Sequence, residues 1–306
     1  MSEDRTQAKA LTITYLAPVS FASLNGGDKE ADNISSIKKL TRETNEGIKE
    51  YPYVSSQALR RALRDQLATM GHKLSEGVVA AAKKGAATTE CDPVSYIDDD
   101  LFGYMNAQSG ESGGRGKTDK RTSPVRVSPL VAIQPYQGDL DFGTNYMSVE
   151  AGGDPNIYET EIHGGLYRGT ILIELDRVGA GDGFESDLET SRKAERITAL
   201  LDALQNLWST GRQSRFLADL TPKFVAAALT SVKAPIFLES VQVKGQTLNG
   251  AVLDEVLKDH EAVVIDSVIG VRSGLFEGVP EGACTIGEAF VKLNGWVKDR
   301  YGQNGA

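Results

Sequence analysis

Basic and amide side chains repeat along one side of a predicted helix at 53–70, which reads YVSSQALRRALRDQLATM. Four of them follow the i, i+3, i+4, i+7 spacing of a single helix face: Gln57, Arg60, Arg61 and Arg64. Ser55 or Ser56 can cap the first turn, where free backbone N–H groups also favour an anion. We therefore predict a helix that binds phosphate groups, with a solvated basic face as the alternative.

Two other segments join basic residues to serine or glycine. Segment 211–215 reads GRQSR, and segment 121–126 reads RTSPVR. Backbone N–H groups beside two arginines suit a phosphate backbone, while an ordinary loop between a helix and a strand is an equal alternative for 211–215. The long connection 25–49 has no clear periodicity and contributes Arg42, lysines, hydroxyls and amides that could reach phosphates. A plain surface loop explains 25–49 about as well.

The sequence favours neither a metal site nor a disulfide. Cys91 and Cys284 form no CxxC pair, and the chain has only three histidines. The run 98–100 holds three aspartates, which we interpret as caps and dipole partners of a helix start rather than as metal ligands. We accordingly predict no cofactor.

The composition is that of an ordinary globular protein, and its net charge limits the kind of nucleic-acid site that it can have. The chain has 306 residues, 40% hydrophobic and 25% charged, with a net charge of −9. Such a charge argues against coating nucleic acid with the whole surface, so a nucleic-acid site must be a local groove. No apolar leader or membrane span is apparent, and we expect a cytoplasmic location.

Hydrophobic periodicity predicts an α+β fold in a single domain. The main strands and helices run in the order strand, helix, strand, strand, helix, strand: 11–24, 53–70, 124–136, 166–178, 191–210 and 223–232. This βαββαβ order is that of ferredoxin-like, or RRM-like, domains. Further strands are predicted at 236–243 and 263–271, and further helices at four places: 74–84, 92–105, 251–260 and 286–301.

The excursion 137–165 is predicted to form a protruding ribbon, in which 145–149 pairs with 157–163. The excursion is acidic, which suits contact with a neighbouring protein better than contact with phosphates.

Four motifs in order resemble a known family. The helix start matches Ser-Ser-Gln-x-Leu-Lys/Arg-Arg-Ala at 55–62, and an LFG motif lies at 101–103. A Gly-Gly/aromatic entry to the third strand is formed by Gly164, Gly165 and Tyr167. The last motif is a glycine-basic-Gln-Ser loop before a proline-led strand, at Gly211, Arg212, Gln213, Ser214 and Pro222. Over most of its length the chain resembles the backbone subunit of type I CRISPR Cascade complexes, in the DevR-like, type I-B branch of the Cas seven family within the RAMP superfamily.

The resemblance implies a hand-shaped protein with an RRM-like palm. The palm would comprise 10–24, 51–70, 124–136 and 166–243 with the C-terminal elements 244–306, and the insertions would be a loop at 25–50, helical fingers at 71–123 and a thumb at 137–165. It also implies a set of RNA-binding residues: Ser23, Asn25, Arg42, Ser55, Ser56, Gln57, Arg60, Arg61, Arg64, Arg121, Arg126, Gly211, Arg212, Gln213, Ser214 and Arg215. The thumb would include Met147, Ile162, His163, Gly164 and Gly165.

On this resemblance the protein is a non-catalytic subunit of an antiviral ribonucleoprotein. The resemblance implies that copies stack along a CRISPR RNA and present it for pairing with target DNA. The implied partners are a 5′-handle cap subunit, a large subunit, small subunits and a repeat endonuclease. The third strand lacks the aromatic pattern with which RRMs read bases, so we expect contact with RNA backbone and shape. The alternative is a type III-like subunit that cleaves target RNA with magnesium, using Asp28 or Asp32 after the first strand.

Overall fold

The computed structural model describes residues 5–31, 34–79, 87–107, 118–208 and 213–302. They form a mixed α+β fold around a large, mostly antiparallel sheet. The strands are β1 (Ala10–Ala22), β2 (Gly26–Ala31), β3 (Ile34–Ile37), β4 (Lys39–Thr44), β5 (Gly47–Val54), β6 (Val78–Val79), β7 (Ala87–Thr88), β8 (Tyr104–Ala107), β9 (Thr118–Arg121), β10 (Val125–Val127), β11 (Leu130–Ala132), β12 (Asp139–Asn145), β13 (Asn156–Glu174), β14 (Phe224–Thr230), β15 (Val243–Lys244), β16 (Thr247–Leu248), β17 (Val264–Val271) and β18 (Cys284–Thr285). The helices are α1 (Ser56–Thr69), α2 (Ile97–Phe102), α3 (Met147–Glu150), α4 (Thr190–Gln205), α5 (Gln213–Phe216), α6 (Gly250–Asp259) and α7 (Ile286–Arg300).

Strand β1 is the centre of the large sheet. Its residue Ile13 pairs with Ile171 of β13 on one side and with Ala227 of β14 on the other, both in antiparallel register. The strand order is β18-β17-β14-β1-β13-β11-β5-β4, and β10 also pairs with β13. Pro18 lies beyond Leu16, the last residue of β1 that pairs with β14. The missing N–H group of this proline therefore costs no hydrogen bond between β1 and β14.

The two faces of the sheet bury different sets of side chains, as the period of two along a strand requires. Ile13 and its same-face neighbours pack in one cluster with Leu59 and Leu63 of α1 and with apolar residues of α4 and α7. On the opposite face Leu16 and Phe224 pack in a second cluster with residues of 236–257. The arginine-bearing helix is thus held on one face of the sheet by its leucines.

Most of the main elements lie where periodicity predicted them. The predicted elements at 11–24, 53–70, 223–232, 251–260, 263–271 and 286–301 correspond to β1, α1, β14, α6, β17 and α7. Strand 166–178 corresponds to the second half of β13, which ends at Glu174, so 175–178 form turns instead. The predicted strand 124–136 is split into β10 and β11 around Ser128 and Pro129. Helix α4 ends at Gln205, with Asn206 as its C-cap, so the predicted end of this helix at 210 was wrong.

The connection 25–49 was wrongly predicted to lack regular structure. Strands β2 and β3 form one hairpin, and β4 and β5 form a second that joins the sheet edge through β11. Gly47 closes the second turn with a φ of 98°, and Thr44 donates to its carbonyl oxygen. Because β4 is polar on both sides, it carries no apolar alternation from which a strand could be predicted.

Two other predicted elements are absent from the described residues. Segment 236–240 forms turns rather than a strand, and only Val243 of the predicted strand lies in a strand, β15. Ile236 and Phe237 pack into the second cluster, while Arg168 donates to the carbonyl oxygens of Glu239 and Val241. Segment 74–79 ends in β6, which pairs with β7, rather than forming the predicted helix. The remainder of that helix, 80–84, lies outside the described residues.

The helix predicted at 92–105 is confined to the six residues of α2. Before it, the carboxylate of Asp92 accepts from the N–H groups of Val94 and Ser95, which favours a turn over an earlier helix start. Gly103 ends α2 with a φ of 66°, near the predicted end.

The protruding ribbon is present, with a different first strand. Strand β12 pairs antiparallel with the first part of β13, and the short helix α3 forms the tip, so that 145–149 lies mostly in the tip rather than in the strand. Strand β13 continues from the ribbon into the large sheet without interruption, and β3 pairs with it in parallel at Glu159 and Thr160. Among the described residues, no helix combines the length and apolarity needed to cross a membrane.

Candidate nucleic-acid interface

The end of β1 and the start of α1 are tied together by Asn25. The side-chain oxygen of Asn25 accepts from the N–H group of Ser55 at 2.8 Å, and its carbonyl oxygen accepts from Lys38 N–H at 2.9 Å. Ser55 is the N-cap of α1, and its hydroxyl accepts from Ala58 N–H at 3.3 Å. Asn25 and the predicted capping serine therefore lie together, with the first turn of α1 held against the end of β1. Ser23, two residues earlier, is buried.

The three arginines of α1 are not equivalent. Arg61 projects with 73% of its side chain exposed and pairs along the helix with Asp65 at 2.8 Å. Exposed pairs of this kind hold their partners weakly, so the Arg61 guanidinium can exchange Asp65 for a phosphate. Gln57, one turn earlier, is also exposed.

Arg60 and Arg64 instead hold α2 against α1. Arg60 donates to the carbonyl oxygen of Phe102 at 2.6 Å, and Arg64 pairs with the buried Asp98 at 3.2 Å. Their guanidinium carbons lie 5.7 and 4.6 Å from the centre of the Phe102 ring. Burial, and then the neighbouring charge of Arg64, lower the pKa of Arg60 from its usual value. These two arginines therefore carry structural contacts in addition to any contact with phosphate.

Helix α5 approaches the other side of the same strand end. Phe216 meets Phe21 of β1 edge-on, with ring centres 6.4 Å apart. Arg215 donates to Thr160 at 3.3 Å and pairs with Asp141 at 2.5 Å, so it joins α5 to both strands of the ribbon. Ser214 is exposed beside it. Of the other residues in the 211–215 motif, Gly211 and Arg212 lie outside the described residues, and only the backbone of Gln213 is described.

The ribbon base is fixed by a buried carboxylate. Glu161 accepts from Ile37 N–H at 2.9 Å and from the Lys39 ammonium at 2.8 Å, which joins the β2–β3 hairpin and β4 to the ribbon. Lys39 also lies 4.5 Å from the centre of the Tyr136 ring. Burial, followed by the charge of Glu161, raises the pKa of Tyr136 to about 12.

His163 and Gly164 lie where the ribbon enters the sheet. The Nδ1 atom of His163 is 2.7 Å from the Tyr167 hydroxyl, and burial lowers the pKa of this imidazole. A Cβ atom on Gly164 would come within 2.0 Å of the Ser20 carbonyl oxygen, so β1 and β13 can approach this closely only with glycine there. Gly165 pairs with Val19, and Ile162 pairs with Asp139. Met147 lies far away at the tip, 75% exposed.

Three predicted arginines do not join this surface. The side chain of Arg121 is completely buried, with bonds to Asp100 and to the carbonyl oxygens of Ala180, Asp182 and Arg177, which contradicts the prediction that it holds RNA. Arg126 and Arg42 line cavities on the sheet face opposite α1. Arg126 pairs there with Glu174 at 2.6 Å.

The aspartate run 98–100 lies in the first turn of α2, as predicted for partners of the helix dipole, but no aspartate caps the helix, whose N-cap is Tyr96. Asp98 accepts from Ser75 N–H, Asp99 from Asp92 N–H, and Asp100 from the arginines Arg121 and Arg196. All three carboxylates are buried. Within the described ranges no cluster of acidic, histidine or cysteine side chains is suited to a metal ion. Asp28 lies in β2 and only its backbone is described, while Asp32 lies outside the described residues.

Sequence reasoning missed the aromatic contacts at the strand end. Phe21 was included in the first strand without a role, although it is 52% exposed, and Tyr158 was not singled out although the Arg215 guanidinium lies 4.8 Å from its ring centre. The signal that was available is the position of Phe21 at the end of an otherwise buried strand, where an apolar side chain must find a partner outside the sheet.

Comparisons with known proteins agree on one class of protein. Residues 13–247 match the family described as CRISPR-associated negative auto-regulator DevR/Csa2. A relative from Myxococcus xanthus (strain DK1622), the CRISPR-associated protein Cas7/Cst2/DevR, is 28% identical over 241 residues, which are 73% of this chain and 73% of that protein.

Two solved structures share the fold. A chain of a "CRISPR RNA-guided surveillance complex" matches with a TM-score of 0.58 and 15% identity, over 94% of this chain and 98% of that one. A chain of a "CRISPR RNA-guided surveillance complex, pre-nicking" matches with a TM-score of 0.64 and 14% identity, over 94% of this chain and all of that one. The fold is thus that of subunits of CRISPR ribonucleoproteins. The chain belongs to the CRISPR-associated DevR/Csa2 family.

Proposed function

We propose that the protein is a non-catalytic backbone subunit of a type I-B CRISPR surveillance complex, which binds CRISPR RNA and presents it for pairing with target DNA. The observation that carries the proposal is the meeting of three polar segments at the end of β1, in a chain of a CRISPR-associated family. These segments are the start of α1, tied by Asn25, the α5 segment with Ser214 and Arg215, and the base of the ribbon.

The architecture supports a hand-like arrangement. The strands β14, β1, β13 and β10 lie side by side in the order 4-1-3-2, and α1 and α4 pack on the same face. This is the order of a ferredoxin-like palm. We assign 71–123 to the fingers, 137–165 to the thumb, and the two hairpins of 25–50 to the base of the thumb, within one domain that includes 244–306.

The RNA backbone would lie across the start of α1. Arg61 and Gln57 would contact its phosphates from the helix, with Ser56 at the first turn, and Ser214 would contact them from the opposite wall, together with the residues 211–213 of the same motif. Arg60 and Arg64 would add positive potential while holding α2. Contacts of this kind position the strand and carry no sequence information, so the bases remain available for pairing.

The ribbon would contact a second copy of the chain on the same RNA. Its outer part combines exposed apolar side chains with acidic ones, which suits a protein surface rather than a phosphate backbone. The exposed apolar side chains are Leu140, Phe142, Tyr146, Met147, Val149 and Ile157. The remaining partners would be the cap, large and small subunits and the repeat endonuclease of the complex.

Native mass spectrometry of the full chain tests this function. The chain is expressed with a CRISPR RNA that carries its repeat sequence, and with a scrambled RNA of equal length. The proposal expects particles that differ by whole protein chains on one RNA, and an RNA-free monomer would contradict it.

A cleavage assay on the same particles tests the absence of catalysis. Target RNA is added with magnesium, with Asp28→Ala and Asp32→Ala as variants. Magnesium-dependent cuts that disappear in either variant would show a type III-like nuclease instead.

A further inference from the structure

A cavity of about 440 Å³ opens on the sheet face opposite α1. Its floor is formed by Thr170 and Leu172 of β13, and one wall by the segment that contains Pro235 and Leu238. Val127 and Ser128 complete the opposite wall. This volume is in the range of sites that hold a small ligand or one or two large side chains.

The rim of the cavity is positively charged and is oriented by one buried carboxylate. Glu174, whose side chain is only 4% exposed, pairs with Arg126 at 2.6 Å, with Lys233 at 3.0 Å and with Arg177 at 3.3 Å. Lys233 also pairs with Asp176 at 2.8 Å. Among the charged residues that line the cavity, Arg126 and Lys233 are cations and Glu174 is a carboxylate, which leaves one net positive charge.

Arg126 can bind an additional anion. It engages Glu174 through Nε, and 57% of its side chain is exposed, so its two terminal nitrogens remain as donors toward the cavity mouth. Its planar guanidinium suits a carboxylate, which it can bind through both nitrogens. The cations Arg126 and Lys233 therefore form a prepared site for a carboxylate above an apolar floor.

A buried hydroxyl without a hydrogen-bond partner among the described residues lies beside the floor of the cavity, on the neighbouring strand β1. Thr12 is the register partner of Leu172 on β1, and its hydroxyl is buried with no hydrogen-bond partner in the described part of the chain. The neighbouring hydroxyls of Thr14 and Thr170 satisfy each other at 2.7 Å. Thr12 is completely covered by the chain and does not line the cavity, so the hydroxyls of β1 offer no further polar contact to a ligand there.

The lining favours a peptide over nucleic acid. The described residues that line the cavity include no aromatic side chain, so there is no platform on which a base could stack. Most of the surface that they expose to the cavity is apolar, which suits an apolar side chain better than a row of charged phosphates. An apolar side chain next to a carboxylate matches both the floor and the rim.

We infer that this cavity is a docking site for a segment of a partner protein in which a large apolar side chain lies beside an aspartate or glutamate. The apolar side chain enters between Leu172 and Leu238, while the carboxylate binds Arg126 and Lys233. Because α1 lies on the other face, the partner and the proposed RNA can be bound at the same time.

Two synthetic peptides test the inference with the full-length chain. One is acetyl-Gly-Glu-Leu-Asp-Phe-Glu-Gly-amide carrying a fluorescent dye, and the other has glutamine and asparagine in place of its acidic residues. Fluorescence anisotropy should show that the acidic peptide binds about tenfold more tightly than the neutral one, the difference expected for one charge-assisted contact.

Variants locate the binding. Leu238→Trp fills the cavity without changing its charge, and the double variant Arg126→Gln with Lys233→Gln removes the carboxylate site; each should weaken the acidic peptide by about tenfold or more. Arg272→Gln, which removes an exposed arginine that does not line the cavity, should leave binding unchanged. Thermal melts establish that each variant is folded. If the double variant does not fold, Leu238→Trp alone tests whether the peptide binds in the cavity.

Three results would overturn the inference: equal binding of the two peptides, no binding of either, or displacement of the acidic peptide by an oligothymidylate. Loss of CRISPR RNA binding in Leu238→Trp would also overturn it, because the cavity would then belong to the nucleic-acid surface. If the unaltered chain binds peptide but no CRISPR RNA, the proposed function fails and this inference stands.

Discussion

Arg215 of α5 reaches the ribbon, where a terminal nitrogen of its guanidinium lies 2.5 Å from a carboxylate oxygen of Asp141. The same guanidinium donates to Thr160 and lies 4.8 and 5.3 Å from the ring centres of Tyr158 and Phe216. One side chain therefore joins the helix to both strands of the ribbon. The sequence motif predicted a phosphate ligand at Arg215, and the structure shows in addition a contact that fixes the ribbon to the rest of the fold.

Alanine substitutions of Arg215 and Asp141, singly and together, should measure how much this ion pair stabilises the fold. The free energies of unfolding of Arg215→Ala, Asp141→Ala and the double variant, measured with urea, are expected to give a coupling energy of about 1 kcal/mol, since both side chains are about two-thirds buried. The matched control is Lys193 with Asp187, where the aspartate is 66% exposed and the coupling should be roughly 0.5 kcal/mol or less. A coupling for Arg215 no larger than that of the control would mean that the ribbon is oriented by other contacts.

Arg61 and Arg64 should respond differently to substitution by alanine. Arg61→Ala removes an exposed cation, so RNA binding should weaken about equally for all guide sequences. The log-log dependence of affinity on salt should also flatten, by roughly 0.7 for each phosphate of a single strand that the variant no longer binds. Arg64→Ala should in addition lower the free energy of unfolding, because it leaves the buried Asp98 without its cation.

Filter binding at several salt concentrations measures the first effect, and urea unfolding measures the second. Lys258→Ala, which removes one exposed positive charge on α6, is the control for net charge and should leave the salt slope unchanged. A loss of affinity confined to particular guide sequences in Arg61→Ala would contradict a phosphate contact.

The sequence predicted the frame of the fold because that frame rests on local periodicity. The spacing of the leucines in α1 and of the alternating isoleucines in β13 indicates one buried face in each element. Elements with such a pattern lie near their predicted positions. Polar strands carry no such signal, which is why the hairpin of β4 and β5 was not predicted. Gly164 was singled out by the motif, but only the structure shows the carbonyl oxygen of Ser20 that excludes a side chain there.

The candidate site was only partly predictable for a related reason. Helical spacing placed Gln57 and Arg61 on one face, and both are exposed. Sequence patterns could not show that Arg60 of α1 donates to Phe102, or that Arg121 of β9 is buried against Asp100. In both cases the partner comes from a distant segment of the chain. Spacing within a helix determines which face a residue shares, and tertiary contacts determine whether its charge is available.

Substitution of Asp100 should lower the free energy of unfolding more than most single substitutions in the chain. Its carboxylate is fully buried between Arg121 and Arg196, the latter at 2.6 Å, and it accepts two contacts from Gly179 N–H as well. Asp100→Asn leaves two buried guanidiniums without a counter-charge, so the free energy of unfolding should fall by about 3–5 kcal/mol. Urea unfolding checks this value, with Asp254→Asn at an exposed position of α6 as the control. A loss below about 1 kcal/mol would mean that the arginines find other partners.

His163 should make the stability of the ribbon base sensitive to mild acid. Burial lowers the pKa of this imidazole in the folded chain, whereas the unfolded chain has an ordinary value near 6.5. Below pH 6.5 the unfolded state therefore binds more protons than the folded state, and the free energy of unfolding falls as the pH falls, by up to about 1.4 kcal/mol per pH unit until the lower, folded pKa is reached. Above pH 6.5 this contribution is fully retained.

The dependence of the unfolding free energy on pH should be reduced by substituting His163 and retained when only its hydrogen-bond partner Tyr167 is substituted. Between pH 7 and pH 5, His163→Gln should show a smaller loss of unfolding free energy than the unaltered chain, measured by urea unfolding at each pH. Tyr167→Phe keeps the imidazole and removes its hydrogen-bond partner, so it should retain the slope, because burial is the main cause of the lowered pKa. Carboxylates with lowered pKa values, such as Glu174, lose their contribution only below about pH 4.5 and do not obscure this window. Identical slopes for His163→Gln and the unaltered chain would show that His163 binds protons equally in the folded and unfolded states.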